Sequence, residues 1–365
     1  MAEFTIGVEE EFHLLDAVTY ELRTAAPDVL AELGSRLTDG VEPELLRTQV
    51  EIQTPVCTTL SEVRTHLTGL RREVATNAAK VGIRIAASGA WPGTTPPVPP
   101  TEQERYEQIA DRFGPTAREQ TVCGAHVHVH IGDRDLRMAV IRRARPWLAA
   151  LLALSANSPY WRGADTGYAS YRSQVWARWP MAGPPPVLRS AQEYDDLVAA
   201  LLATGVMHDE GMLYWDLREA KRFGTVEFRV GDVGTRVDDT LLLAALARAL
   251  VVTSTAEQSG DPIADVSPEL IRVAHWRAAR YGLDGELVDP ATGRPAPADD
   301  VVGHLIEHVR PALVEHGDAA FVDGAVEAML AGDTGVARQH AAFRRAGEIR
   351  DVVRMLADQT EGDGG

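Results

Sequence analysis

The sequence predicts an α+β fold: a curved, mainly antiparallel sheet of about six strands, backed by helices on one face and followed by a helical C-terminal extension. Two observations carry this. Six short segments, far apart in the chain, alternate apolar and polar residues with period two, and the stretches between and after them repeat apolar residues at helical spacing. A third observation concerns chemistry. The polar faces of those segments carry Glu, His, Arg and Gln and almost no Lys, so the face turned away from the helices reads as an open, charged, concave site.

The first strand contains GVEEEFHLLD. Phe4, Ile6, Val8, Phe12 and Leu14 share one parity, and Thr5, Gly7, Glu9, Glu11 and His13 share the other. Glu9 and Glu11 therefore point together, away from the core. Glu10 falls on the apolar side, where it needs a partner arginine or a local bend. In RTQVEIQTP, Val50 and Ile52 oppose Gln49, Glu51 and Gln53, and GIRIAASGAW buries Ile83, Ile85 and Ala87. TVCGAHVHVHIG alternates Cys123, Ala125, Val127, Val129 and Ile131 with His126, His128 and His130. LYWDLREA sets Asp216 and Arg218 opposite Trp215 and Leu217, and GTVEFRVGD sets Thr225, Glu227 and Arg229 opposite Val226, Phe228 and Val230.

Helical patterns run over residues 60–81, with Ser61 as the expected N-cap, over 135–154, broken at Pro146, and over 191–202 and 238–252. From Ser267 onward the pattern is almost wholly helical. Pro-rich loops fall at 94–100 and 182–187, and 289–300 reads as a linker. The division expected is a catalytic unit over 1–288, a helical extension of the same domain over 289–358, and a disordered tail over 359–365.

Composition excludes several classes. A formal net charge of −17 argues against general affinity for nucleic acid or anionic membranes. No apolar run comes near the ~18 residues that a membrane span needs, and residues 1–6 show neither a basic region nor an apolar run of a secretory signal. Cys57 and Cys123 are the only cysteines, which rules out a disulfide scaffold and fits a reducing cytoplasm. Neither GxxxxGK[ST] nor GxGxxG lies between a strand and a helix, and GxSxG is absent.

A single Glu on a strand is ordinarily a solvated residue. Glu9, Glu11, Glu51 and Glu227 on one face are harder to explain so, because they would repel unless cations lay among them. Carboxylates with one or two imidazoles favour Mg²⁺ or Mn²⁺. HVHVH alone could also hold zinc, which keeps a metal-dependent amide or ester hydrolase as the rival reading.

GVEEEFHLLD, VEIQTPVC, GAHVHVHIG, the block over 153–180 and GTVEFRVGD together resemble the glutamate–cysteine ligase type 2 family, the bacterial carboxylate–amine ligases of the glutamine synthetase superfamily. The resemblance runs from about residue 5 to about 285. It implies an antiparallel funnel entered at one end by Mg²⁺–ATP, an acyl phosphate made from a small carboxylic acid (glutamate by default), and its capture by an amine, nominally cysteine. It implies metal ligation by Glu9, Glu11, Glu51, His126 and Glu227, and catalytic roles for Arg229 and Arg218. Arg172, His128 and Gln49 become candidate substrate contacts. Some relatives are weak glutamate–cysteine ligases, and a member that merely binds nucleotide or amino acid is a further alternative. A homodimer is common among such proteins, though no segment here marks an interface. WDLREAKRFGTVEFR departs from the family's W-x-(V/I)-R-P-S run, with Glu219 and Ala220 in place of Pro and Ser, and this puts the family's substrate preference in doubt here.

Overall fold

In the computed structural model, which describes residues 4–34, 40–95, 97–257 and 265–362, the strand parity read from the sequence becomes one antiparallel sheet. Its strands are β1 (Ile6–Asp16), β2 (Val41–Pro43), β3 (Gln49–Gln53), β4 (Ile83–Ala86) and β5 (Gly124–His130). A small hairpin, β6 (Tyr160–Trp161) and β7 (Ala164–Asp165), lies apart, and β8 (Leu217–Ala220) and β9 (Thr225–Asp232) complete the sheet. The order is β2-β3-β1-β5-β9-β8, with β4 on the second half of β1. β1 is long enough to serve three partners. Glu9 stands opposite Gln53 and His126, Glu11 opposite Glu51, and Leu14 opposite Ile85.

Seven strands are present where six were expected. β2 escaped notice because three residues ending in proline show no periodicity. Ile6, Val8, Phe12 and Leu14 are fully or almost fully buried, and Glu10 lies among them. It does have a partner arginine: Arg71 Nε and Nη2 donate to its two oxygens at 2.8 and 2.6 Å, and Thr240 Oγ1 donates at 2.6 Å.

Helices Leu60–Lys80 and Val237–Ala256 cover the apolar face. The first is capped by Thr59 rather than Ser61. Thr59 Oγ1 accepts from the Glu62 N–H while the Glu62 carboxylate accepts from the N–H groups of Thr58 and Thr59, a reciprocal box that Ser61, inside the first turn, cannot make. The second helix is the one described segment long and apolar enough to cross a membrane, which the sequence reading missed. It is buried within the fold, being apolar all round because it sits between the sheet and other helices. The pattern broken at Pro146 resolves into Arg134–Ala144, a 3₁₀ turn Arg145–Trp147 and Leu148–Ser155.

After the helix Pro268–Tyr281, the chain forms a hairpin of β10 (Glu286–Val288) and β11 (Pro295–Pro297). Residues 289–300 are thus a turn, a strand and the start of the helix Ala298–Glu315 rather than a linker. The last helix, Ile349–Gly362, runs into the stretch expected to be a tail, and residues 363–365 lie outside the described residues. It docks on β4: Arg84 pairs with Glu361 and Asp358 at 2.6 and 2.9 Å, and the Ala87 N–H donates to the buried Thr360 hydroxyl at 2.9 Å.

Candidate active site

On the face of the sheet away from the core helices, odd-numbered residues of β1 meet even-numbered residues of β5. His126 Nδ1 lies 2.9 Å from Glu9, and His128 Nε2 lies 3.2 Å from the other Glu9 oxygen. Across β5, His128 stands opposite Glu227 of β9, which in turn stands opposite Arg218 of β8. Arg218 Nε and Nη2 donate to Glu227 at 2.7 and 3.1 Å, and Arg229 Nη1 donates to the same carboxylate. Glu11 accepts from the Gly124 N–H at 2.6 Å. Three overlapping groups of donor atoms result, each drawn together within 4.8 Å: Glu9, Glu51 and His126; Glu9, His128 and Glu227; Glu11, Glu44 and Glu51.

Glu44, between β2 and β3, is a member that sequence reasoning missed. It lies in EPELL, one acid among several in a turn, and only the pairing of Glu42 with Glu51 brings it to the site. His130, at the exposed end of β5, belongs to none of these groups, so HVHVH does not gather three imidazoles.

The electrostatics divide the carboxylates. Burial pushes Glu11 up to about 8 with Glu44 adding to it, and burial followed by Glu9 holds Glu51 well above the ordinary range. Glu9 goes the other way. Burial opposes its charge, but His126 and His128 outweigh burial and hold it below the usual carboxylate range. Glu227 is also held low, because Arg218 and Arg229 overcome burial. His126 is lowered to about 4 by burial and by Arg229, while Glu227 and Glu9 outweigh burial at His128 and raise it. His126 Nε2 has no hydrogen bond among the described residues, while His128 Nε2 is directed at the Glu9 carboxylate. Crowded carboxylates with imidazole nitrogens among them are a donor set that fits hard divalent cations such as Mg²⁺ or Mn²⁺.

The face expected to be open is walled. Tyr106, Trp176, Trp179 and Tyr214 enclose a cavity of about 240 Å³ over Glu11, Glu44, Glu51 and Arg229, because loops and the short helix Arg172–Trp176 fold across it. At the other end of β1, a cavity of about 280 Å³ runs from Glu9 and His128 to Pro55, Val56 and Phe223.

Arg172 reaches the cluster's edge. It is 3% exposed, and its Nη2 donates to the Arg229 carbonyl at 3.3 Å. It passes so close to β5 that a Cβ on Gly124 would come within 2.4 Å of Nη2, which explains glycine at the head of the G-x-H strand. Gln49 is used within the protein: its amide donates to the Val122 carbonyl at 2.6 Å. Glu219 points away from the site, as its parity with Arg218 requires. It is buried against Arg134 and Arg137, at 2.8 and 2.5 Å, so the departure from P-S installs an internal ion-pair network on the opposite face from the cluster.

Solved structures define the class. A glutamate–cysteine ligase of Francisella tularensis, crystallised with AMP, superposes with a TM-score of 0.76 at 12% identity, covering 100% of this chain and 89% of that one. A bifunctional glutathione synthetase of Pasteurella multocida gives 0.71 at 15%, covering 99% and 52%. The fold is therefore that of the glutamine synthetase-like ligases.

Sequence comparison then gives the family. The model of Glutamate-cysteine ligase family 2 matches residues 5–355, well beyond the expected limit near 285, and the chain belongs to that family. A Frankia alni protein, provisionally named glutamate–cysteine ligase 2-2, is 45% identical over 372 residues, with 98% of this chain and 97% of that one covered. A Mycolicibacterium vanbaalenii protein of the same provisional name is 44% identical over 368 residues, with 99% of each covered. The protein is an ATP-dependent carbon–nitrogen ligase.

Proposed function

We propose that this ligase joins a small carboxylic acid, glutamate by default, to an amine such as cysteine, with the acid activated as an acyl phosphate. The observation that carries the reading is the convergence of Glu9, Glu11, Glu44, Glu51, Glu227, His126 and His128 with two guanidiniums on one face of the sheet. A carboxylate cannot expel oxide, so the acid must first take the γ-phosphoryl group. That transfer is limited by charge on phosphate oxygens rather than by covalent help.

The apolar slot between Pro55, Val56 and Phe223 accommodates a flat base, which leaves the phosphates over Glu9 and His128. The three donor groups would hold divalent cations, which when bound neutralise the triphosphate. Arg229 and Arg218, oriented by Glu227, face the transferring group and stabilise its developing charge. Arg172, whose Nε has no hydrogen bond among the described residues, would grip the acid's distal carboxylate. Trp176, Trp179 and Tyr214 exclude water, which would otherwise hydrolyse the acyl phosphate. Both cysteines are free and buried, in keeping with a reducing compartment.

The test is ADP release from ATP with Mg²⁺ or Mn²⁺, glutamate and a panel of amines, product masses being read in parallel. ADP and an amide formed only when acid and amine are both present is the expected result. Metal-dependent hydrolysis of amides or esters without ATP would overturn it.

A further inference from the structure

Asp216 lies on the site side of the sheet but takes no part in the cluster. It stands across from Arg229, whose N–H donates to the Asp216 carbonyl at 2.8 Å, and it has the parity of Arg218. Its carboxylate is aimed at the helix Pro268–Tyr281, where His275 Nδ1 lies 3.2 Å away. His275 is 9% exposed, and its Nε2 is buried with no hydrogen-bond partner among the described residues. A carboxylate beside Nδ1 favours the tautomer with the proton there, leaving the Nε2 lone pair free.

Both residues line a cavity of about 480 Å³. Trp176 belongs to this cavity and also to the one over Glu11, Glu51 and Arg229. The Arg172 and Arg229 guanidiniums lie over its ring at 5.5 and 5.8 Å, and together with Trp179, which also lines both, it separates the two spaces. The rest of the wall includes Trp276 and Arg272.

We propose that this cavity is the acceptor subsite and that His275 is the base that frees the amine, with Asp216 as its positioning residue. The inference rests on the ligase reading above. The cavity suits a primary amine of amino-acid size that carries a carboxylate, since Arg272 supplies positive charge and the indoles supply flat walls. The acceptor enters as an ammonium, and His275 Nε2 takes one proton. The freed lone pair attacks the carbonyl carbon of the acyl phosphate. A C–N bond forms, the C–O bond to phosphate breaks with its electron pair leaving on phosphate, and the surplus N–H proton goes to that phosphate. The charged groups sharing the cavity with His275 are Asp216 from the sheet, Arg272 from its own helix, and Arg172 and Arg178 from the Arg172–Trp176 helix and the segment after it. The helix Leu148–Ser155 contributes only Leu152.

Hydroxylamine separates the two halves of the reaction, because it is neutral at pH 7 and captures an acyl phosphate without a base. The full chain, with ATP, Mg²⁺ and glutamate, is assayed for hydroxamate with hydroxylamine and for amide with cysteine. In His275→Gln the ratio of amide to hydroxamate is expected to fall by about a hundredfold. In Asp216→Asn the same ratio is expected to fall, by less than in His275→Gln, with hydroxamate formation retained, since only the tautomer and aim of the imidazole are disturbed. If His275→Gln fails to fold, the amide-to-hydroxamate ratio of Asp216→Asn decides. A ratio within about threefold of wild type, or amide and hydroxamate falling together, would overturn the proposal, the latter by placing His275 at the acid-activating end. Wild-type protein forming neither product removes the reading of glutamate as the activated acid and this inference with it.

Discussion

Glu9, Glu10 and Glu11 are neighbours in sequence and have three different environments. Glu9 is kept ionised by two imidazoles, Glu11 is pushed toward its neutral form by burial and Glu44, and Glu10 crosses to the core and closes on Arg71. Glu10→Ala would leave Arg71, 2% exposed, without its carboxylate, and the expected cost is about 3–5 kcal/mol in chemical denaturation. A loss under 1 kcal/mol would show that water reaches Arg71 instead. Glu227→Gln acts on chemistry. It removes the charge that aligns Arg218 and Arg229, and kcat for ADP formation should fall about 10²–10³-fold with the far-UV circular dichroism unchanged. Near-normal turnover would remove Glu227 from the site.

At the scale of elements, the cap of the helix Leu60–Lys80 makes a prediction about pH. Glu62 is held below its ordinary value, first by the Thr58 N–H. A depressed carboxylate contributes stability above its unfolded value near 4.5 and loses it as pH falls through the folded value. Glu62→Gln should therefore melt below wild type at pH 7, and the two curves should converge near pH 3. Curves that stay parallel across that range would show that the box makes no ionic contribution. The elements also show what was legible. Strands with one apolar and one charged face declared themselves because a period of two survives in a strand of four residues or more. β2, too short and ending in proline, did not, and it took Glu44 with it. Glu10 was marked by breaking its strand's parity, although only the packed structure could name Arg71. Asp216 was visible as a polar-face residue, but its partner His275 lies on a distant helix, and no local pattern links them.

For the molecule as a whole, mutual repulsion among Glu11, Glu44 and Glu51 makes divalent cations a stabilising ligand. Mg²⁺ or Mn²⁺ should raise the melting temperature with concentration, by an amount equivalent to about 2.7 kcal/mol at a hundred times Kd, and EDTA should reverse it. A melting curve indifferent to both would contradict the metal assignment. Fold class and cluster could be read from the sequence because they rest on local alternation repeated six times. The walls could not, since Tyr106 on the helix Glu104–Phe113, Trp176 on the helix Arg172–Trp176 and Tyr214 in an irregular segment come from distant parts of the chain, and no local pattern shows what they cover.

The position of β1 has a consequence for how the protein is made. It precedes its partners in the chain, yet it lies in the middle of the sheet and waits in turn for β3, β4 and β5, while Glu227 arrives only with β9. The helix that ties down β4 follows every strand of the sheet. Prematurely terminated chains therefore carry the acidic strand without the arginines and closing helix that complete it, and a cell making them would lose the polypeptide but would not gain a fragment that consumes ATP.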